Sequence, residues 1–205
     1  VGGGSAWMMF WAEFESYRTT GMSQYPENHR TLRPDEPVMG ERGDWDSWDN
    51  GGSWLMSVHR LSGNELIGFY HAEDHWCCPR NPEGIAWKSM AVTYSYDNGV
   101  TWEPGEQIIT GSTPRPDEPA WGGAGDGVVI WDMFNERWVA FYSDHMIRMA
   151  ISEDPLARPG TWYKWHDGEF SEPGLGGQDT PLPGLDLVAG ANPSVHWNTH
   201  LNEWI

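Results

Sequence analysis

Hydrophobic positions along the chain come in short runs separated by Gly, Pro, Asn and Asp, and the runs are rich in β-branched and aromatic residues. Such runs read as strands, and the punctuation between them leaves almost no room for a long helix. The pattern predicts strands over residues 7–11, 53–60, 65–71, 87–95, 101–110, 127–132, 137–143, 147–152, 161–166 and 193–198. The expected class is all-β.

Three stretches look alike. Ser57-Val58-His59-Arg60 leads to Phe69-Tyr70, Val129-Ile130-Trp131-Asp132 leads to Phe141-Tyr142, and Val195-His196-Trp197-Asn198 leads to Trp204. Trp131 and Trp138 recur 66 residues later as Trp197 and Trp204, and Phe69-Tyr70 recurs 72 residues later as Phe141-Tyr142. Each tandem unit holds four strands, which predicts a β-propeller of four-stranded antiparallel blades. Residues 1–205 then form a single propeller domain. Within it, 1–44 supply preceding or closing strands, 45–120 one blade, 121–190 the next, and 191–205 the start of a third. About two and a half blades cannot close a ring, so the expectation is a piece of a longer chain.

Inside the first unit, Ser95-Tyr96-Asp97-Asn98-Gly99-Val100-Thr101-Trp102 carries the pattern Ser-x-Asp-x-Gly-x-Thr-Trp. Asp97 can accept backbone N–H bonds in the turn, Gly99 supplies a positive φ, and Trp102 packs beneath. Ser152-Glu153-Asp154 with Gly160-Thr161-Trp162 is a looser copy. The motif resembles the Asp box of sialidases and other propeller glycosidases, a structural hairpin that supplies no catalytic group. A sialidase would also need an arginine cluster for its substrate carboxylate, which the chain lacks near its candidate site.

Composition narrows the function classes. Lys plus Arg total 12 against 30 Asp plus Glu, a formal net charge of -18. Such a charge repels phosphate backbones and anionic lipid head groups, so neither nucleic acid nor membrane is an expected partner. Fifteen tryptophans provide ring area for a sizeable core. The two cysteines, Cys77 and Cys78, are adjacent and lack zinc-type spacing. An oxidised vicinal pair is expected for them, in a secreted protein with no cofactor.

Propeller topology assigns the candidate chemistry to one face. The segments before the innermost strands are Asp49-Asn50-Gly51-Gly52, Gly125-Asp126-Gly127 and Ala191-Asn192-Pro193, each with an acid or amide beside small residues that leave space for a ligand. The loops after the second strands are His71-Ala72-Glu73-Asp74-His75-Trp76-Cys77-Cys78 and Ser143-Asp144-His145, both carrying Asp-His. The Asp97 turn falls on the opposite face.

Trp45-Asp46-Ser47, Asp126 to Asp132 leading to Trp138 to Tyr142, and Asn192-Pro193-Ser194-Val195 make the chain similar to the five-bladed furanosidase-type glycoside hydrolases, the arabinanase, xylosidase and invertase group. The resemblance implies hydrolysis of an oligo- or polysaccharide by funnel carboxylates, one activating water and another protonating the leaving oxygen. By position Asp49 would be the base and Asp126 the acid that orients or tunes a partner. Asn192 stands where a third acid would be expected, which leaves Glu73 as the proton donor. His71, Asp74, His75, Trp76, Asp144, His145, Asn192, Trp48 and Trp121 would bind substrate, the indoles by stacking on sugar rings. Two alternatives remain open: a non-catalytic carbohydrate-binding or interaction propeller, and a metal-dependent enzyme using the His71/His75 loop. The plainer readings are turns for Asp46, Asp49 and Asp126, solvated loop acids for Glu73 and Asp74, and a hydrogen-bonded core histidine for His71.

Overall fold

The structure, a computed structural model, describes residues 7–31, 36–40, 46–76, 84–184 and 192–205; Trp45, Cys77 and Cys78 lie outside the described residues, and with them the expected vicinal disulfide. The chain is all-β. An N-terminal sheet pairs β1 (Trp7–Ala12), β2 (Ser16–Gly21) and β3 (Arg30–Thr31). The next sheet has the order β4 (Gly52–Ser62), β5 (Glu65–Asp74), β6 (Trp87–Ser95) and β7 (Glu106–Thr110), and the short β8 (Gly122–Gly123) pairs in parallel with β6. A third sheet runs β9 (Gly125–Asp132), β10 (Arg137–Asp144), β11 (Met146–Ser152), β12 (Trp162–His166) and β13 (Glu169–Pro173). A hairpin of β14 (Trp197–Asn198) and β15 (Glu203–Trp204) follows.

Along the main path of each sheet successive strands pair antiparallel, as strands that follow directly in the chain can. The sheet of β4–β7 is buried on both faces, so β5 reads as a nearly unbroken apolar run instead of an alternating one. Ile67 and Phe69 point towards the third sheet, where they meet Val129, Trp138, Tyr142 and Trp162. Tyr70 and Ala72 lie in the core on the other side, with Phe10, Val38, Met39 and Trp102. The tryptophans spaced seven apart are cross-strand partners: Trp131 faces Trp138 and Trp197 faces Trp204, edge-on at centroid distances of 5.0 and 5.4 Å.

Three expectations change in detail. The strand expected over 101–110 begins only at Glu106, because Thr101 is tied to Asp97 and Pro104 has no N–H to give a ladder. The strand expected over 193–198 is reduced to Trp197–Asn198. The third sheet has five strands, not four, since Glu169–Pro173 folds back onto β12.

The turn at Asp97 has the expected chemistry. Its carboxylate accepts from the N–H groups of Val100 and Thr101 at 3.0 and 2.9 Å and from the Thr101 hydroxyl at 2.7 Å. Desolvation works to raise this carboxyl, but those donors outweigh it and hold it at about 2. Asn98 N–H bonds to Asn64 O, so the turn sits at the hairpin end of β4 and β5. Gly52 and Glu73 pair at the other end of the same hairpin. Eleven residues of β4 put roughly 30 Å between the two ends.

Val129 is one of the residues that join the second and third sheets. Val129 N–H donates to Ser57 Oγ at 2.9 Å, and His59 Nε2 donates to Val129 O at 2.8 Å. Desolvation holds His59 below its ordinary value near 6.5, although the bond to the Val129 carbonyl works the other way. A depressed histidine contributes stability above its unfolded pKa and loses it as pH falls, because the unfolded chain takes up the proton first. The melting temperature should therefore fall more steeply in wild type than in His59→Gln between about pH 7 and about pH 5. Parallel curves from calorimetry would mean that His59 is not linked to folding.

Candidate functional site

One end of β4, β5 and β9 encloses a cavity of about 450 Å³. Trp54, Leu55 and Met56 line it from β4, His71 and Glu73 from β5, Asp126 and Gly127 from β9, and Asn192 and Pro193 from the segment before β14. Residues that the sequence places on one face, from three separate segments, thus share a wall.

Glu73 is its most constrained group. His71 Nε2 lies 3.1 Å from Oε1 and His75 Nε2 lies 2.7 Å from Oε2, so both carboxylate oxygens have an imidazole partner. Desolvation favours the neutral acid, but the hydrogen bonds from His71 and His75, with any charge on the two rings, prevail and hold Glu73 at about 2. These contacts favour the ionised carboxylate, a state that suits a base or a charge-stabilising group.

His71 connects the two acids. The Asp126 backbone N–H donates to His71 Nδ1 at 3.0 Å, so Nδ1 carries a lone pair and the ring proton sits on Nε2, facing Glu73. Asp126 Oδ1 lies 3.6 Å from the same Nδ1, and its Oδ2 takes an ion pair from Lys88 Nζ at 2.5 Å. Asp126 can present both its N–H and its carboxylate here because its φ is 47°, a left-handed conformation that Asp and Asn tolerate. Asn192, at the corresponding place before β14, has φ 54°.

The glycines of these segments do not leave the space expected of them. A Cβ on Gly51 would strike the His75 ring, and one on Gly125 would strike the His71 ring. The room is already filled by imidazole. Trp54 packs on His71 at 5.5 Å and donates its indole N–H to Phe14 O at 3.0 Å.

Asp49 does not reach the cavity. It is fully buried, accepting from the Ser47 hydroxyl and from Tyr70 Oη at 3.1 Å, so its assignment as the base is corrected to a sealed position beneath the sheet end. Asp74 is also structural. Its carboxylate takes Asn50 Nδ2 at 3.0 Å, Trp76 N–H at 2.8 Å, and the Arg115 guanidinium at 2.5 and 3.1 Å. Trp76 is 3% exposed beneath Arg115, which lies 4.5 Å over its ring, so it is not a platform for sugar. Trp48 stacks on Tyr70, and Trp121 is 62% exposed.

At the end of the third sheet, His145 is exposed with Nε2 3.9 Å from Asp144. Desolvation first, and then the neighbouring Asp179, push the Asp144 carboxyl up. Neither residue lines the cavity. Beneath them Asp179 accepts from Tyr142 Oη at 2.6 Å beside the buried Lys164, which repeats the pairing of Tyr70 with Asp49. Among the described residues no set of three His, Cys, Asp or Glu side chains has the arrangement to hold a metal ion.

Sequence reasoning missed Trp54 and Lys88. Trp54 lies in the middle of an apolar strand run, and nothing local distinguishes it from core. The signal for Lys88 was its place beside Trp87 at the start of β6, where a lone lysine opens an apolar strand.

Neither the protein families nor the curated proteins compared with this chain match it. Among solved structures it is similar to a protein from Bacteroides thetaiotaomicron described as a "putative glycosidase", at 12% sequence identity and a TM-score of 0.46. The likeness covers 77% of this chain and 43% of that one, so this chain spans less than half of the other's length.

The clamp at Asp74 yields a stability test. Asp74→Ala takes one acceptor from Asn50 Nδ2, leaves the Trp76 N–H without its carboxylate and removes the partner of Arg115, and should destabilise by about 2–4 kcal/mol. Arg115→Ala should cost less, about 1 kcal/mol, because the guanidinium is partly solvated already. Urea midpoints for the two variants give the comparison, and equal losses would contradict it.

Proposed function

We propose that this is a carbohydrate-active β-propeller protein that hydrolyses glycosidic bonds in the cavity bounded by Glu73 and Asp126. The propeller reading is supported by successive antiparallel sheets packed face to face, with the same cross-strand tryptophan pair recurring and the Asp97 turn at the far end from the cavity. In that reading the sheets are consecutive blades within 45–120 and 121–190, and β14 and β15 begin another at 191–205. Secretion and an oligo- or polysaccharide substrate belong to the same proposal.

The observation that carries the function is the pair of carboxylates on opposite nitrogens of one imidazole. Contacts of 3.1 and 3.6 Å lie across that ring. They keep the acids within roughly 9 Å of one another, compatible with the ~6.5–9.5 Å at which two carboxyls admit a water beside a glycosidic bond. Glu73, ionised, is suited to accept a proton from the water that attacks the sugar carbon, the departing oxygen taking its proton from solvent as the C–O bond breaks, and His71 fixes the orientation of Glu73. Trp54 offers an aromatic surface at the same wall.

A second reading, a non-catalytic sugar-binding propeller, is favoured by one specific observation. Glu73 is held at about 2, which does not suit a proton donor to a leaving group, and the Asp126 carboxylate is engaged by Lys88.

Glu73→Gln and Asp126→Asn, made in the full-length protein and assayed on aryl glycosides and oligosaccharides, separate the readings. Each should lower turnover about 10²–10⁴-fold while leaving the fold intact. Glu73→Gln should gain nothing from a low-pKa phenol leaving group, because a base is being removed and not an acid. Turnover unchanged in both variants would overturn the hydrolytic reading. Oligosaccharide binding without cleavage by wild type would establish the second reading.

A further inference from the structure

A second cavity, of about 400 Å³, opens at the same end of the β4–β7 sheet but is lined by different residues. Consecutive residues of β5 divide the two: Glu73 lines the first and Asp74 the second. Because successive side chains of a strand point to opposite faces, the cavities lie back to back across β5. The second is walled by Trp48 and Trp87, by Gln107 and Thr110 of β7, and by the segment 111–115 that follows β7.

We propose that this cavity is a second saccharide-binding site, specific for neutral sugars and separate from the Glu73–Asp126 cavity. Three observations support it. First, its two charged groups cancel. Asp74 and Arg115 are paired through two of the three guanidinium nitrogens, Nε and one terminal nitrogen, and the Asp74 carboxylate is further occupied by Asn50 and the Trp76 N–H. A ligand therefore meets no free charge from this pair, which disfavours uronic or sialic acids.

Second, four other polar groups of the wall are available, although the Thr110 hydroxyl is engaged by Gly111 O and the Gly176 N–H. The Gln107 amide, the Ser112 hydroxyl and the indole N–H groups of Trp48 and Trp87 make no hydrogen bond among the described residues. None of these donors is sealed from solvent, so they are free to meet sugar hydroxyls.

Third, the two indoles are braced from behind. Trp48 stacks on Tyr70 with centroids 6.0 Å apart, and Trp87 meets the buried Trp76 edge-on at 6.5 Å and abuts Gly122. Rigid aromatic faces beside unpartnered donors suit the mixed surface of a pyranose or furanose ring, with C–H on one side and hydroxyls at the edge. The volume falls in the ~300–1,000 Å³ range of small-molecule pockets.

The ligand class is shared with the proposed function, but the residues are not, and so the two proposals can fail separately. The probe is a panel of neutral hexose and pentose oligosaccharides, with uronic-acid oligosaccharides beside them. Binding to the full-length protein is measured by titration calorimetry and located by the indole N–H resonances of Trp48 and Trp87, assigned from Trp→Phe variants. A neutral oligosaccharide should shift both resonances. Gln107→Ala should weaken that binding about tenfold, and so should Trp87→Phe, whereas Glu73→Gln should leave it unchanged. Gln107 lies on the cavity wall outside the apolar core, so its variant keeps the test valid if Trp87→Phe folds poorly. The proposal is overturned if no neutral sugar shifts the two resonances, or if Gln107→Ala leaves affinity intact. It is also overturned if Glu73→Gln abolishes the shifts, or if uronic-acid oligosaccharides bind more tightly than neutral ones.

Discussion

A carboxylate taken out of water must be given partners or lose its charge, and this chain buries acids at the very ends of its sheets. Asp49, Asp74 and Asp179 each sit beneath the loops at one end, and each is met by a different answer to the same demand. Asp49 is held by the hydroxyls of Ser47 and Tyr70. Asp74 is held by an amide, a backbone N–H and a guanidinium. Asp179 is held by Tyr142, Arg148 and Lys164. With 30 acids against 12 basic residues in the chain, cations are scarce. Arg115, Arg148, Lys164 and Lys88 are all committed to carboxylates at this end.

That commitment explains why the candidate site is so ordered. Glu73 belongs to the same strand as Asp74 but receives neutral-capable imidazoles in place of a fixed cation, and its two oxygens face two rings whose positions the backbone sets. Asp126 reaches His71 through a left-handed residue and is itself tethered by Lys88. The acids at the cavity are thus held in place by groups that also hold the sheets together.

Much of this was legible in the sequence, and the boundary has a physical cause. Trp131, Trp138, Trp197 and Trp204 disclose the repeat because cross-strand partners in a hairpin keep a fixed spacing. Asp97 discloses its turn because every donor it uses lies within four residues. The strands Ser16–Gly21 and Glu169–Pro173 were not seen, since they are built from polar residues and owe their pairing to neighbours already in place. Asp49, Glu73 and Trp76 were recognised as lying at the right end, but their states depend on Tyr70, His75 and Arg115, which the fold delivers from other strands and loops. Sequence position told which end of the sheet a residue occupies; it did not tell whether the side chain is sealed, ionised or covered.

The tight seating of imidazole rings against Gly51 and Gly125 carries an evolutionary consequence. At either glycine the smallest side chain would displace a histidine, and at either histidine a smaller residue would open a hole beside the glycine. Gly51 with His75 and Gly125 with His71 are therefore coupled positions, in which a change at one is tolerated only after a compensating change at the other. A lineage that abandoned this chemistry would be expected to lose the members of each couple together, leaving the sheets intact and the cavity rebuilt around different side chains.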